Sequence, residues 1–242
     1  MCILNKPTWG NIDLGAYASA EGYNTQAAYM AAHAEGRDTQ ALSQYAHAEG
    51  RLSIASGVAA HAEGLRGYAT GSQAHAEGRD TIASGSYGSH AEGYRTKAIS
   101  RYSHAEGRDT IAGVTNDSSS GGLCAHAEGN KTQALGDFTH AEGTETQATG
   151  QHAHAEGEKT ISDGRNSHAE GYLSHAGGAY THAEGMNTEA LLEGSHAEGI
   201  NTLTEGNAAH AEGDSTNATN RAAHAEGIET SADGRAAHAE GY

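Results

Sequence analysis

The stretch HAEGRDTIASG, which begins at His75, sets a histidine and a glutamate two residues apart. That spacing is the His-x-Glu half of a zinc-deaminase site, where the His holds the metal and the Glu passes protons to an activated water. The same tetrapeptide stands at fifteen positions in the chain. A catalytic centre is built once; a motif built fifteen times is architecture. The deaminase site also needs a downstream Pro-Cys-x-x-Cys to complete the metal shell. The chain has one proline, Pro7, and two separate cysteines, Cys2 and Cys124. Deaminase chemistry is excluded on these residues.

Other chemistries fare little better. Imidazole and carboxylate suit zinc, nickel or copper, yet a uniform array points to adventitious metal binding rather than to a resident ion. Thr-rich solenoids bind ice, but the threonines here alternate with Ala on the stripe expected to face inward. No reactive constellation occurs just once, so neither catalysis nor a cofactor is expected. His152 and His175 lie outside the tetrapeptide and read as surface residues.

The elements that carry fifteen His-Glu pairs must be unusual, because the composition cannot fill an ordinary core. Among 242 residues there are one Phe, one Trp and three Met, against 34 Gly. Large apolar side chains contribute roughly 1.5–3 kcal/mol each on burial, and few are present. Low hydrophobicity with a net charge of −17 would fit a disordered chain, but such a chain has no need to keep small residues in phase. The opening MCILNKPTWGNIDLG shows no charged and then apolar segment of a secretory signal. No apolar run approaches the ~18 residues of a membrane helix. Two cysteines make no disulfide framework, so reduced thiols are expected. The acidic balance speaks against nucleic acid or an anionic membrane as partner.

Aligned on the tetrapeptide, the period is 14 residues, starting with a degenerate copy at Ser19-Ala20-Glu21-Gly22. The copy at His75 is one residue longer and the copy at His104 eight longer. Counting from each His, position 2 is Ala and position 4 is Gly throughout. Position 7 is Thr or Ser with Gly67 the exception, position 9 is Ala except at Ser162 and Thr204, and position 14 is Ala, Ser or Thr. Small residues at 14, 2 and 4 and again at 7 and 9 form two period-2 stripes, the mark of two short strands. Between them, EGRDT, EGYNT and EGMNT supply Gly, Asn and Asp for turns with positive φ. A helix is disfavoured, since Gly at position 4, and usually at 11, costs ~1 kcal/mol each there.

The expected fold is all-β, a parallel β-roll (a solenoid) of 14-residue coils spanning 19–242, with a leader or cap over 1–18 and an insertion loop at about 113–125. Positions 1 and 3 face outward on one wall. Positions 8 and 10 face outward on the other and vary, as in Gln40/Leu42, Ile54/Ser56, Tyr68/Thr70 and Lys97/Ile99. About 16 coils at ~4.8 Å each would form a thin strip roughly 75–80 Å long. A roll filled by Ala, Ser, Thr and Gly buries little apolar surface, and its ladder bonds contribute only about 0.5–1.5 kcal/mol net each. It needs support from outside, and the uniform wall is the face to receive it.

SHAEGYRTKAIS and SHAEGRDTIAG resemble the head repeats of trimeric autotransporter adhesins of the Yersinia-adhesin type, built on S-V-A-I-G-x-x-S-x-A-x-G. The resemblance covers residues 19–242 and implies a left-handed parallel β-roll in which three chains pack side by side. Here His stands where the family has Val, and Glu where it has Ile. The signal sequence, coiled-coil stalk and membrane barrel of that family have no match in the sequence. HAEG repeats are also similar to those in tail-fibre proteins of phages that infect Gram-positive bacteria.

Stacked glutamates ~4.8 Å apart repel by about 1 kcal/mol per pair in water, and by about 3–4 at an effective dielectric of 20. A His beside each Glu can donate a hydrogen bond or, when protonated, cancel the charge; protonating all 17 His would bring −17 to zero. The wall is therefore expected to be a polar homotrimer interface. It is formed by His33, Glu35, His47, Glu49, His61, Glu63, His75, Glu77, His90, Glu92, His104 and Glu106, continued by His126, Glu128, His140, Glu142, His154, Glu156, His168, Glu170, His182 and Glu184, and completed by His196, Glu198, His210, Glu212, His224, Glu226, His238 and Glu240. Burying the other wall instead would strand Lys97, Glu189, Asp163, Glu205 and Asp233. The expected role is a structural fibre or shaft segment, of a phage tail or related extracellular filament. The alternative is a bacterial cell-surface adhesin whose variable wall meets a host receptor. Tyr242 falls midway through a coil, so an open edge and end-to-end stacking are expected there, with Ile3, Leu4 and Trp9 as a cap at the other end.

Overall fold

The computed structural model describes residues 10–114 and 122–241. The suggested cap residues Ile3, Leu4 and Trp9, together with Cys2, Pro7, Tyr242 and the middle of the insertion, lie outside the described residues. The regular structure of the described part is all β, and no helix in it is long and apolar enough to cross a membrane. The chain divides into two compact units, Met1–Asp109 and Thr110–Tyr242. Each is a parallel β-solenoid of the expected 14-residue coil, one sheet made of the HAEG strands and the other of the shorter strands.

A coil of the second unit shows how the sequence closes on itself. His140–Thr144 forms the first strand and Gln147–Ala148 the second. The first pairs in parallel with His154–Glu158, the second with Ile161–Ser162. Like therefore stacks on like: His140 on His154, Ala141 on Ala155, Glu142 on Glu156 and Gly143 on Gly157. The bonds between coils run both ways. Strand amides donate forward, as His140 N to Ala153 O at 3.0 Å, whereas turn amides donate backward, as Glu145 N to Asn130 O at 2.9 Å and His152 N to Asp137 O at 2.8 Å. In the first unit the repeat extends one strand ahead of residue 19, with Ile12–Asp13 paired to Gln26–Ala27.

The interior is as small as the stripes require. Ala at positions 2, 9 and 14 is buried, and the largest fully buried side chain is Thr. Several hydroxyls at position 14 are satisfied by the carbonyl three residues back, as Thr139 Oγ1 to Gly136 O at 2.8 Å and Ser167 Oγ to Gly164 O at 2.6 Å, whereas that of Ser195 is buried with no hydrogen-bond partner. At position 7 a Ser reaches the next coil, as Ser53 Oγ to Gly64 O at 3.2 Å. Thr39, Thr81, Thr146 and Thr160 at the same position have buried hydroxyls with no hydrogen-bond partner.

Two details differ from the sequence reading. Gly at position 4 is not an inward-facing filler: Gly157 is half-buried and sits at φ +112°, and a Cβ there would lie 2.1 Å from the Gly171 carbonyl oxygen. Backbone angle and coil-to-coil approach demand it, not the width of the interior. The turns, in turn, do not depend on Asn, Asp or Gly. Positions 6 and 13 are left-handed throughout most coils, yet they hold Leu52 (φ 60°), Leu173 (φ 57°), Tyr45 (φ 59°) and Phe138 (φ 56°). The left-handed region costs a non-glycine residue about 1–2 kcal/mol, and the backward amide bond of each such residue to the preceding coil holds it there.

Two substitutions separate these effects. Gly157→Ala should destabilise by more than about 2 kcal/mol, since it adds the left-handed penalty to a backbone clash. Thr160→Val should be neutral or stabilising by up to about 1 kcal/mol, because it removes a buried hydroxyl that bonds to nothing. Thermal melts of both proteins check this; a destabilised Thr160→Val would mean that the hydroxyl is bonded.

Candidate functional site

The sheet of HAEG strands places every His and Glu of the motif on its outer face, because residues two apart on a strand point the same way. Parallel pairing in exact sequence register then stacks His on His. Within the first unit, ring centroids from His33 to His104 follow at 4.7–4.9 Å. Within the second, those from His126 to His238 follow at 4.7–5.0 Å. Ring planes range from parallel, as His61 on His75 at 5°, to edge-on, as His33 on His47 at 85°. The spacing is fixed by the backbone ladder; the tilt is not.

Beside each ring stands the glutamate of the same strand. His140 Nε2 lies 3.5 Å from Glu142 Oε2, His61 Nε2 3.7 Å from Glu63, and His168 Nε2 3.8 Å from Glu170. Most of these separations are too long for a hydrogen bond; His196 to Glu198 at 3.4 Å meets the criterion. The imidazoles are half-buried by their neighbours while the carboxylates stand further into solvent. As a result Nε2 of His47, His61, His75, His90, His140, His154 and His168 is closed off from water and has no hydrogen-bond partner within the chain.

Burial pushes the imidazoles of His61, His90 and His168 below their ordinary value, and the imidazoles stacked above and below add to the shift. The glutamates of the same and adjacent coils oppose it without reversing it. In the single chain these rings therefore favour the neutral form. At these three rings burial, together with the neighbouring imidazoles, outweighs the pull of the carboxylates within the single chain.

The second wall carries the variable positions. Lys97, Glu189 and Asp163 are exposed there, with Ile54, Ile82 and Ile161 half-buried between coils. Thr149 Oγ1 donates to Asp163 at 2.6 Å and Thr219 Oγ1 to Asp233 at 3.0 Å. His175 belongs to this wall, its Nε2 3.2 Å from Asp163 Oδ2. His152 is exposed at a turn, stacked on Phe138 at 5.0 Å. Cys124 is a free, exposed thiol. Among the described residues, no group of three or more His, Cys, Asp or Glu is arranged to hold a metal ion.

The turn edges are where the sequence reading missed functional groups. In the first unit, position 5 stacks Tyr23, Arg37, Arg51, Leu65, Arg79, Tyr94 and Arg108 in ladder register. Arg79 and Arg108 lie over the Tyr94 ring at 5.4 and 6.0 Å. The opposite edge of that unit exposes Tyr29, Tyr45, Tyr87 and Tyr102. These positions vary between coils, so an alignment on the invariant residues passes over them; only their stacking in space makes them a surface. The chain matches no protein-family model and none of the curated proteins.

The lowered imidazoles fix the sign of a pH dependence. A group whose folded pKa lies below the unfolded ~6.5 contributes stability that is complete above 6.5 and is lost as pH falls through that value toward the folded pKa. The melting temperature should therefore fall between pH 8 and pH 5.5. A rise over the same interval would restore the protonated pairs.

Proposed function

We infer that the chain is a shaft segment of a structural fibre, in which three copies lie side by side with their HAEG walls turned toward a common axis. The left-handed roll and the parallel trimer come from the resemblance to adhesin heads. The observation that carries the inference is the set of imidazole Nε2 atoms of His47, His61, His75, His90, His140, His154 and His168, shielded from water and with no hydrogen-bond partner in their own chain. Each such buried group costs roughly 1–3 kcal/mol. A second copy of the same wall brings carboxylates and imidazoles of matching spacing to that row, coil after coil.

The other wall supports the same orientation. Turning it inward would bury Lys97, Glu189 and Asp163, exposed in the chain, at a cost of several kcal/mol each when unpaired. A uniform inner wall and a varied outer one suit a load-bearing filament, whose coils must be alike where they join and are free to differ where they meet water. The setting that fits is a phage tail or a related extracellular fibre, with self as the main partner, end-to-end stacking as a means of extension, and no turnover of substrate. The varied outer wall also suits the second reading, a bacterial surface adhesin in which that wall contacts a host receptor. Electron micrographs of native particles separate the two, by showing the protein on virions or on cells.

Sedimentation equilibrium tests the assembly, with three times the chain mass expected. Glu142→Ala should leave His140 without its carboxylate neighbour inside the interface and raise the trimer's dissociation constant about tenfold or more. Thr149→Ala removes one exposed hydrogen bond to Asp163 and should change it less than about twofold. A monomer at micromolar concentration, or a Glu142→Ala trimer as tight as the parent, would overturn the inward-facing wall.

A further inference from the structure

A coil has two turn edges on opposite sides of the roll, positions 5–6 on one and positions 11–13 on the other. In several coils of the second unit these edges match in character. Asp214 on the first edge shares its coil with Arg221 on the second, and Glu229 shares its coil with Arg235. All four are exposed. Among the described residues none of the four takes part in an ion pair within the chain. The coil between His196 and His210 sets Asn201 against Asn207, an amide on each edge, and the coil of His168 sets Leu173 against Tyr180, both exposed, with the Tyr180 hydroxyl accepting from Arg165 in its own chain. In the first unit, taken by itself, two coils pair cation and ring: Arg37 with Tyr45, Arg79 with Tyr87. Other coils do not match: that of His90 has Arg95 and Arg101 of like sign with Tyr94 and Tyr102 beside them, that of His47 sets Arg51 against Val58, and that of His154 holds Lys159 and Arg165.

Residues on opposite edges do not meet within one chain, and a solvated edge has no cause to match its counterpart across the roll. A ring of parallel copies gives that cause. In cyclic assembly the contact is head-to-tail, so one edge of each copy must meet the other edge of the next. Without a shift along the axis, the facing residues come from the same coil, offset by half a coil or about 2.4 Å. Long side chains span that offset. A two-fold antiparallel dimer would instead set each edge against a reversed copy of itself and undo every match.

We propose that a second copy of this chain docks along the turn edges in parallel register, so that Asp214 meets Arg221 and Glu229 meets Arg235 of its neighbour. This rests on the trimer reading and adds to it a partner surface that the HAEG wall does not include. The wall is nearly the same in every coil and allows slippage by one coil at little cost. The edges differ from coil to coil and set the register, as charge patterns do in other repetitive assemblies. A one-coil slip would still set one acid against an arginine, Asp214 opposite Arg235 or Glu229 opposite Arg221, but would lose the other pair and place Leu173 opposite Glu193 or Arg165.

Thiol cross-linking in the full-length chain tests the seam. With Cys2 and Cys124 changed to Ser, Ser215→Cys and Ala222→Cys are introduced singly and together, and a short bismaleimide is applied. The double variant should give a covalent trimer on a denaturing gel, and each single variant only monomer. A double variant that sediments as a trimer but stays unlinked would overturn the seam and leave the inward wall standing. A linked dimer from either single variant would also overturn it, by showing like edges together. A monomeric sedimentation mass would sink the trimer reading itself. Charge reversal supplies an independent measure: Asp214→Arg with Glu229→Arg, or Arg221→Asp with Arg235→Asp, should speed subunit exchange about tenfold, and the fourfold variant should return it to within about threefold of the parent. A fourfold variant that exchanges as fast as its components would count against these pairs.

Discussion

The two sheets of each unit lie so close that nothing larger than threonine fits between them, and most of the chain's other properties follow from that gap. It explains the alanines at positions 2, 9 and 14 and the Thr or Ser at position 7, nearly all of them buried. It also sets a low ceiling on stability. A buried methyl contributes ~0.8 kcal/mol, while fixing one residue's backbone costs about 1–2 kcal/mol. Three alanines and a threonine cannot hold fourteen residues. The deficit falls on the hydrogen bonds between coils and on whatever covers the outer faces.

Those bonds impose a second constraint, a fixed rise with identical residues in register. Any side chain chosen for one coil is placed at contact distance from its copy in the next. The rings at 4.7–5.0 Å are the result. For His61, His90 and His168 burial disfavours the charged form, and the imidazoles stacked above and below work in the same direction. Such a wall is a surface with one property repeated along it, unlike a cleft in which several groups converge on one point.

Turns relieve the uniformity. Positions 6 and 13 are held left-handed by amide bonds to the preceding coil, so the local cost is carried by the ladder and the side chain is free. That is why Tyr45, Phe138 and Leu52 occupy positions where Asn or Gly would ordinarily be chosen. The edges can therefore hold Arg and Tyr in one unit and Asp, Glu and Arg in the other. Information that distinguishes one coil from another is stored there and on the outer wall, while the HAEG wall stays constant.

The sequence alone determined the period, the two strands per coil, the inward stripes at 14, 2, 7 and 9, and the outward His-Glu pairs, because each of these is a local pattern repeated in phase. It also placed Asp163 and Lys97 outside. Position 4 was misassigned, since Gly157 answers to backbone angle and to the carbonyl of Gly171 in the next coil, a contact fourteen residues away that no local pattern reveals. The lowered imidazoles of His61, His90 and His168 were likewise out of reach: in sequence a His next to a Glu suggests an ion pair, whereas in space each of these rings is also half-buried and stacked between two other imidazoles. Only the tertiary structure showed this, because stacking turns sequence separation of fourteen into a distance of one coil. The same stacking gathers Arg37, Arg79 and Arg108 with Tyr23 and Tyr94 onto one edge, a surface invisible until the coils are laid on one another.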